Sequence, residues 1–367
     1  MKVLELLYKW SSGGVERYVE DLVTYASNEG IVCSVASATT PVVGDCIQGD
    51  GPLVSNGIRG VLTQGSSIVT YIQSGCYDVV HIHGNNGLVY LLSHYASIAG
   101  AKSIVHSHNS SFGPGARAAK AMFTSIMRLL YGKDCSVYFA CSHLAGDFLF
   151  RAQDYKVVYN GVDLSRFSYR PLDRIAVRHE LGIPSEAPVV GFAASLVDAK
   201  NPIFAFAVYK QLQDMVPDAR FVVCGDGELF DRLISDAEVF SGKNLFICTG
   251  RVSDVQRYYS AMDILLAPSR YEGLPINLIE AQANGLPIAM SDAITEEVVV
   301  VPELCSRLSL DDDLDVWARA IVNALNRSLN RSDGFVERVQ AAGYSQPECF
   351  ESIVNAYRKV LASEYDS

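Results

Sequence analysis

Two carboxylates with seven residues between them stand in the segment Ser269-Arg-Tyr-Glu-Gly-Leu-Pro-Ile-Asn-Leu-Ile-Glu280. Glu272 is followed directly by Gly273, Leu274 and Pro275, and the apolar run Ile264–Pro268 ahead of it reads as a buried strand. Pro275 suits the first turn of a helix and Asn284-Gly285 suits its end. The result is a strand, a short loop and a helix whose unpaired N–H groups turn back on the loop. Such a helix start binds anions, phosphate above all. Glu272 would stand at its mouth and Glu280 about two turns inside. One could then accept hydrogen bonds from sugar hydroxyls and the other from ribose hydroxyls, on either side of a bound diphosphate. Taken singly, either residue reads first as an offset to the helix dipole or a solvated side chain. Its neighbours are what point to a ligand.

Other residues suit the same chemistry. Lys200 falls in a loop after the strand Val189–Ala193, ahead of Asn201-Pro202, where a cation would neutralise a departing diphosphate. Gly13-Gly14 follows the first strand and opens a helix; paired glycines admit a phosphate closely, and equally make a tight turn. Gly225-Asp-Gly-Glu228 follows Arg220–Cys224 and reads as well as a plain polar loop. His81-Ile-His83 and His106-Ser-His108 each close a strand, and alternation turns both members of a pair to one face. Two such pairs are the makings of a metal site. No Asp or Glu occurs from Val79 to Lys133 to complete or orient one, so no metal is expected.

That acid-free stretch holds Lys102, Arg117, Lys120, Arg128 and Lys133. Within it, Ala116–Tyr131 is amphipathic, with Arg117, Lys120, Thr124 and Arg128 on one face and Met122, Phe123, Ile126, Met127 and Leu130 on the other. Such a helix packs its apolar face on a domain, or lays it on a membrane surface.

The elements that must carry these residues alternate along the chain. Lys2–Tyr8, Val32–Ala38, Asp78–Ile82, Ser103–His106 and Val137–Ala140 read as strands with helices between them. A second series follows in Val189–Ala193, Arg220–Cys224, Leu245–Thr249, Ile264–Pro268 and Pro287–Met290. This pattern implies parallel sheets covered by helices, with ligand loops at the carboxyl ends of the strands. At 367 residues two domains are expected, residues 1–167 and 187–347, with a linker in the polar, basic stretch between them. Hydrophobic residues make up 49% and charged residues 19%, ordinary for a folded soluble chain. Nine cysteines without paired spacing fit reduced thiols in a cytoplasm. Glu5 and Lys9 interrupt the apolar start, which speaks against a signal peptide. Residues 1–167 carry 12 basic and 12 acidic side chains, so the net charge of −11 falls wholly in the remainder. A nucleic-acid partner does not fit this balance, whereas a local basic face for phosphate or anionic lipid does.

Tyr271-Glu-Gly-Leu-Pro275, Glu280-Ala281 and Asn284-Gly-Leu-Pro-Ile288 together resemble the donor-site signature of retaining, GT-B-fold glycosyltransferases of the large family-four group. The likeness is densest from Val189 to Asp292. It implies two doubly wound Rossmann-like domains facing across a cleft, with a last helix (about 348–367) packing back on the first domain. It also implies transfer of a sugar from a nucleotide diphosphate sugar to a saccharide hydroxyl, by front-face attack and without a metal or other cofactor. By the resemblance, Gly13 and Gly14 face the donor phosphates, and Glu272 with Gly273, Leu274 and Pro275 holds the sugar and diphosphate. Lys200 stabilises the leaving group and Glu280 holds the ribose. Arg251 and Val252 meet the base through their backbone, which suits uracil and hence a UDP-sugar. His108 is the residue beside the reacting sugar. The breadth of the group implies a lipid-linked acceptor in envelope polysaccharide synthesis, with the protein peripheral on the cytoplasmic membrane face. One position departs from the pattern: Ser195 stands where the group has an arginine, so either Arg270, Arg251 or Arg17 compensates, or donor binding is weaker, or the enzyme differs from its relatives. Two alternatives share the fold, an inactive transferase-like binding subunit and a nucleotide-sugar 2-epimerase. The latter needs acid–base carboxylates that the acid-free stretch lacks.

Overall fold

The structure, a computed structural model, describes all residues except 12–13, 45–47, 111–115, 152, 241, 243–244, 328, 333 and 363–367. The chain divides into two compact units, Met1–Gly161 with Gln346–Ser367, and Val162–Ser345.

The first unit contains β1 (Lys2–Leu7), β2 (Val32–Ser37), the short antiparallel pair β3 (Val42–Val43) and β4 (Gln48–Gly49), β5 (Val79–His83), β6 (Lys102–Ser107), β7 (Val137–Ala140) and β8 (Lys156–Val157). Six of them form a parallel sheet in the order β2-β1-β5-β6-β7-β8. The second unit contains β9 (Val189–Ala193), β10 (Arg220–Cys224), β11 (Phe246–Gly250), β12 (Ile264–Ala267), β13 (Ile288–Ser291) and β14 (Cys305–Leu308), in the order β11-β10-β9-β12-β13-β14. Each sheet is covered by helices, as the alternation of apolar runs requires. The central strands β5, β9 and β12 are buried along their whole length, the mark of parallel strands covered on both faces.

The order of each sheet fixes where ligands go. From β1 the chain runs out to β2 and returns to β5 on the other side; from β9 it runs out through β10 and β11 and returns to β12. The loops leaving those two strand pairs therefore diverge, opening a crevice at the carboxyl edge. In the second unit these are the loops that carry Lys200 and Glu272.

The helix Gln346–Ala362 belongs to the first unit. Phe350, Ile353, Val354 and Tyr357 pack with Val3, Leu7, Tyr18 and Leu22 in one core. The polar stretch expected as a linker is instead helical over Pro171–Glu180 and part of the second unit. Proline at its first position is preorganised for a helix. Arg174 and Arg178 then reach Asp263 at 2.7 Å each, which gives the basic residues a structural task.

The helix Arg117–Tyr131 sits the other way round from a packing helix. Thr124 is its buried residue, and its hydroxyl accepts the Gly87 N–H at 3.0 Å. Met122, Ile126, Leu129 and Leu130 are exposed, Leu129 by 85%. Of the polar face Thr124 is buried, Lys120 and Arg128 are half-buried and Arg117 is exposed, while Phe123 and Met127 of the apolar face are also half-buried. A Cβ at Gly87 would come within 2.9 Å of Thr124 Cα, so the glycine permits this close approach. No helix among the described residues is long and apolar enough to cross a membrane.

Candidate active site

The helix after β12 runs from Ile276 to Ala283, with Pro275 as the residue before its first turn. Proline cannot donate an N–H, so the position spends no hydrogen bond. Asn284 ends the helix and Gly285 leaves it at φ +65°, a backbone setting that favours glycine. Asn277 donates to the Ala193 carbonyl at 3.1 Å, tying the first turn to the end of β9. Leu274 is buried and anchors the loop, while Gly273 is half-buried. Glu280 lies just over one turn into the helix rather than two, because the helix begins at Ile276.

The loops after β9 and β12 bring Lys200 and Glu272 together as an ion pair. Ser269 Oγ donates to the same Glu272 oxygen at 2.8 Å. Both charged side chains are mostly covered but still reachable from solvent. A cation and an anion held side by side at a loop mouth can separate their duties when a diphosphate sugar enters, the ammonium meeting phosphate oxygens and the carboxylate meeting sugar hydroxyls. Ser195 is exposed and brings no charge. Of the three arginines that could replace the missing one, Arg270 is in the same loop pair. Its N–H donates to the Ala199 carbonyl at 2.8 Å and its Nη2 to Asn201 Oδ1 at 3.1 Å. Arg17 pairs instead with Asp21 at 3.3 Å in the first unit, and Arg251 is exposed after β11, beside half-buried Val252.

Glu280 accepts from Tyr259 Oη at 3.2 Å. Burial raises its carboxyl pKa to about 7, against the lowering effect of the Tyr259 bond and of Arg166. Tyr259 and Arg166 are thus neighbours of the site that no linear motif announces: one lies in the helix Val255–Ala261, the other in Leu164–Phe167. Gly225 and Gly227 have a packing role. A Cβ on either would fall within 2.6 Å of the Ala194 or Leu196 carbonyl, and Leu196 N–H donates to the Asp226 carbonyl at 2.9 Å.

In the first unit, Gly14 begins the helix Gly14–Asn28 after β1, and a Cβ there would touch nothing within 4 Å. Gly13 lies outside the described residues. His108, half-buried after β6, has its Nδ1 3.0 Å from Asn160 Oδ1 and its Nε2 2.9 Å from His83 Nδ1. The carboxylate that the stretch from Val79 to Lys133 lacks is supplied by Glu5, from the neighbouring strand β1. Glu5 stands opposite His81 in the β1–β5 register and is fully buried. Its Oε2 is 2.8 Å from His83 Nε2 and 3.1 Å from His81 Nδ1, and its Oε1 accepts from Tyr357 Oη at 2.8 Å. Burial alone would raise the Glu5 pKa; the bonds to His81 and His83 override it and hold the carboxyl below the usual carboxylate range. Ring nitrogens of His81, His83 and His106 lie within 4.8 Å of one another.

Comparisons with known proteins find relatives along most of the chain. Residues 12–166 match the model described as Glycosyltransferase Family 4, and residues 173–340 the model described as Glycosyl transferases group 1. EpsF of Bacillus subtilis (strain 168), provisionally named a glycosyltransferase, is 27% identical over 301 residues, 80% of this chain and 77% of that one. A UDP-Gal:alpha-D-GlcNAc-diphosphoundecaprenol alpha-1,3-galactosyltransferase of Escherichia coli is 26% identical over 267 residues, 70% and 68% of the two chains. HepE of Anabaena, solved in complex with UDP, shares the fold with a TM-score of 0.78 at 17% identity, covering 98% of this chain and all of that one.

Proposed function

Because the chain belongs to the GT-B glycosyltransferases that join a family 4 domain to a group 1 domain, we propose that its donor is a UDP-sugar and that transfer retains the anomeric configuration without a metal. The observation that carries this is the Lys200–Glu272 pair at the diverging loops of β9 and β12, with Glu280 on the helix that follows. Glu280 takes the ribose hydroxyls. Glu272 and the Gly273–Leu274 backbone take the sugar and diphosphate, with Pro275 fixing the turn. Lys200 and the helix start stabilise the phosphate as the C1–O bond breaks, and Arg270 supplies the charge missing at Ser195. The acceptor oxygen attacks C1 from the face that the phosphate leaves, and its proton passes to the departing phosphate oxygen. For the first unit, Gly14 is assigned to the phosphates and His108 to the transferred sugar. The base meets the backbone of Arg251 and Val252. Support for uracil comes from HepE, bound to UDP, and from the E. coli relative, which by name uses UDP-Gal.

That relative's acceptor is by name a diphosphoundecaprenol-linked sugar, and we propose a lipid-linked saccharide here too, as in envelope polysaccharide synthesis. The outward apolar face of the helix Arg117–Tyr131 favours it. Met122, Ile126, Leu129 and Leu130 are exposed, as are Arg117 at the start of the helix and Lys133 just past its end, in a stretch without acids. This is the composition of a helix lying on an anionic membrane surface.

The test is a thermal-shift and hydrolysis panel of uridine, guanosine and adenosine diphosphate sugars in the presence of a chelator, on wild type and Glu280→Gln. UDP-sugars should raise the melting temperature and slowly release free sugar, and the variant should lose both. Stabilisation by another base would reassign the donor; no shift from any of them would overturn the proposal.

A further inference from the structure

Within the transferase chemistry proposed above, we infer that Glu5 and His83 are positioning residues that set the tautomer of His108, so that it faces the transferred sugar as a neutral hydrogen-bond acceptor. The links are Glu5 Oε2 to His83 Nε2 at 2.8 Å, then His83 Nδ1 to His108 Nε2 at 2.9 Å. Asn160 Oδ1 lies 3.0 Å from the remaining nitrogen, His108 Nδ1.

The protons along this chain follow from the end that has no choice. An ionised carboxylate only accepts, so His83 carries its hydrogen on Nε2. His83 is fully covered and lies tilted against His81 and His106, and the single Glu5 carboxylate cannot balance more than one charged ring among them. A neutral His83 with Nε2–H has a bare Nδ1, which accepts from His108 Nε2–H. His108 is then left with a lone pair on Nδ1. The Asn160 amide meets that lone pair through its NH2 group, since the two ends of an amide have the same shape and are assigned by their partners. Burial lowers the pKa of His83 to about 4 and that of His108 well below 6.5, consistent with neutral rings.

The chemistry rewards this arrangement. The transferred sugar gathers positive charge at C1 and the ring oxygen as the phosphate leaves. An imidazolium beside it would oppose that charge; a neutral ring whose Nδ1 lone pair takes a sugar hydroxyl in place of the Asn160 amide leaves the charge undisturbed. Three other buried groups pack or bond against this hydrogen-bonded chain. Tyr357 of the last helix fixes the second Glu5 oxygen. His81 Nδ1 approaches both Glu5 and Tyr357. Tyr18 of the first helix lies edge-on to His108 at 5.0 Å between centroids.

The test uses the full chain labelled with 15N-histidine, whose seven histidines are resolved by long-range ring correlations and assigned with His83→Phe and His108→Asn. The expected result is that His83 and His108 are both neutral with the hydrogen on Nε2. Glu5→Gln should shift both signals and lower kcat on the order of 10- to 100-fold, with donor KM and UDP affinity within about twofold, since none of the groups that Glu5 touches is assigned to UDP. A His108 that carries its hydrogen on Nδ1, or is an imidazolium, overturns the inference, as does full kcat in Glu5→Gln. Should Glu5→Gln not fold, the wild-type tautomers decide the matter alone. A wild type inactive with every nucleotide sugar would sink the transferase proposal while leaving the tautomer measurement standing.

Discussion

The two units share a six-stranded parallel plan and put their polar residues in opposite places. In the second unit Lys200, Glu272 and Glu280 lie in the loops and helix beyond the strand ends, and β9 and β12 themselves are wholly apolar. In the first unit Glu5, His81, His83 and His106 lie inside the strands, on the face covered by the first and last helices. A loop residue can exchange its partner for a ligand with little rearrangement. A strand residue under two helices cannot, and any partner its polar atoms find must come from inside the core. The second unit is therefore suited to binding and the first to holding one half-buried histidine in a fixed state.

The largest expected effect breaks the second unit's part of this contrast. Lys200→Ala should lower kcat/KM by about two to three orders of magnitude, the loss typical of removing one donor to a developing anion. It should leave the urea midpoint nearly unchanged, because the pair is reachable from solvent. A large stability loss with modest kinetics would mean the pair is structural.

Glu5→Leu should do the reverse in the first unit. It strands the His83 Nε2–H in the core and takes one partner each from Tyr357 and His81, destabilising by about 3–5 kcal/mol. Acid sharpens the comparison, since the two units should answer it with opposite signs. His83 has a folded pKa near 4, below its ordinary value, so the unfolded chain binds its proton first and stability falls as pH drops through 6.5 towards 4. Glu5, held low, adds to this loss below about 4.5. Glu280 has a folded pKa of about 7, above its ordinary value. The folded state takes its proton first, and its contribution grows as pH falls from 7 towards 4.5. Hydrogen exchange resolved by unit at pH 5 and pH 7.5 would show the first unit weakening relative to the second; equal weakening would contradict the assignment.

Glu280→Gln should weaken UDP binding roughly 10- to 150-fold, the range for a hydrogen bond to a charged group. Because the carboxylate is the form that accepts from ribose hydroxyls, wild-type affinity should rise with pH across about 7. The variant serves as control for the titration of UDP itself, and the difference between the two should carry the rise. Smallest in stability terms, Met122→Ser with Leu129→Ser should change unfolding by less than about 0.5 kcal/mol while abolishing sedimentation with anionic vesicles. Unchanged sedimentation would leave that apolar face without its proposed occupant.

Much of this was legible in the sequence because both sheets are built from continuous apolar runs. Val137–Ala140, Val189–Ala193 and Arg220–Cys224 have the bounds read from the sequence, and others differ by a residue or two. Two of the four edge strands of the six-stranded sheets escaped notice. Cys305-Ser-Arg-Leu308 is half-buried and mixed in character, and Lys156–Val157 is only two residues long. The Glu272–Glu280 segment was readable because its loop, cap and helix are contiguous. The Glu5 network was not, since its partners lie 78 and 352 residues away, and only strand pairing reveals that Glu5 faces His81. Periodicity gave both faces of the helix Arg117–Tyr131 but not which one turns inward. That depended on Gly87, a residue outside the helix.

The central claim is that the nucleotide sugar is held by the diverging loops of the second unit, and hydrogen exchange with and without UDP addresses it most directly. The account predicts protection of residues 195–201 and 269–280, with little change in β1, β5 and β6. Protection confined to the first unit, or none at saturating UDP, would contradict it.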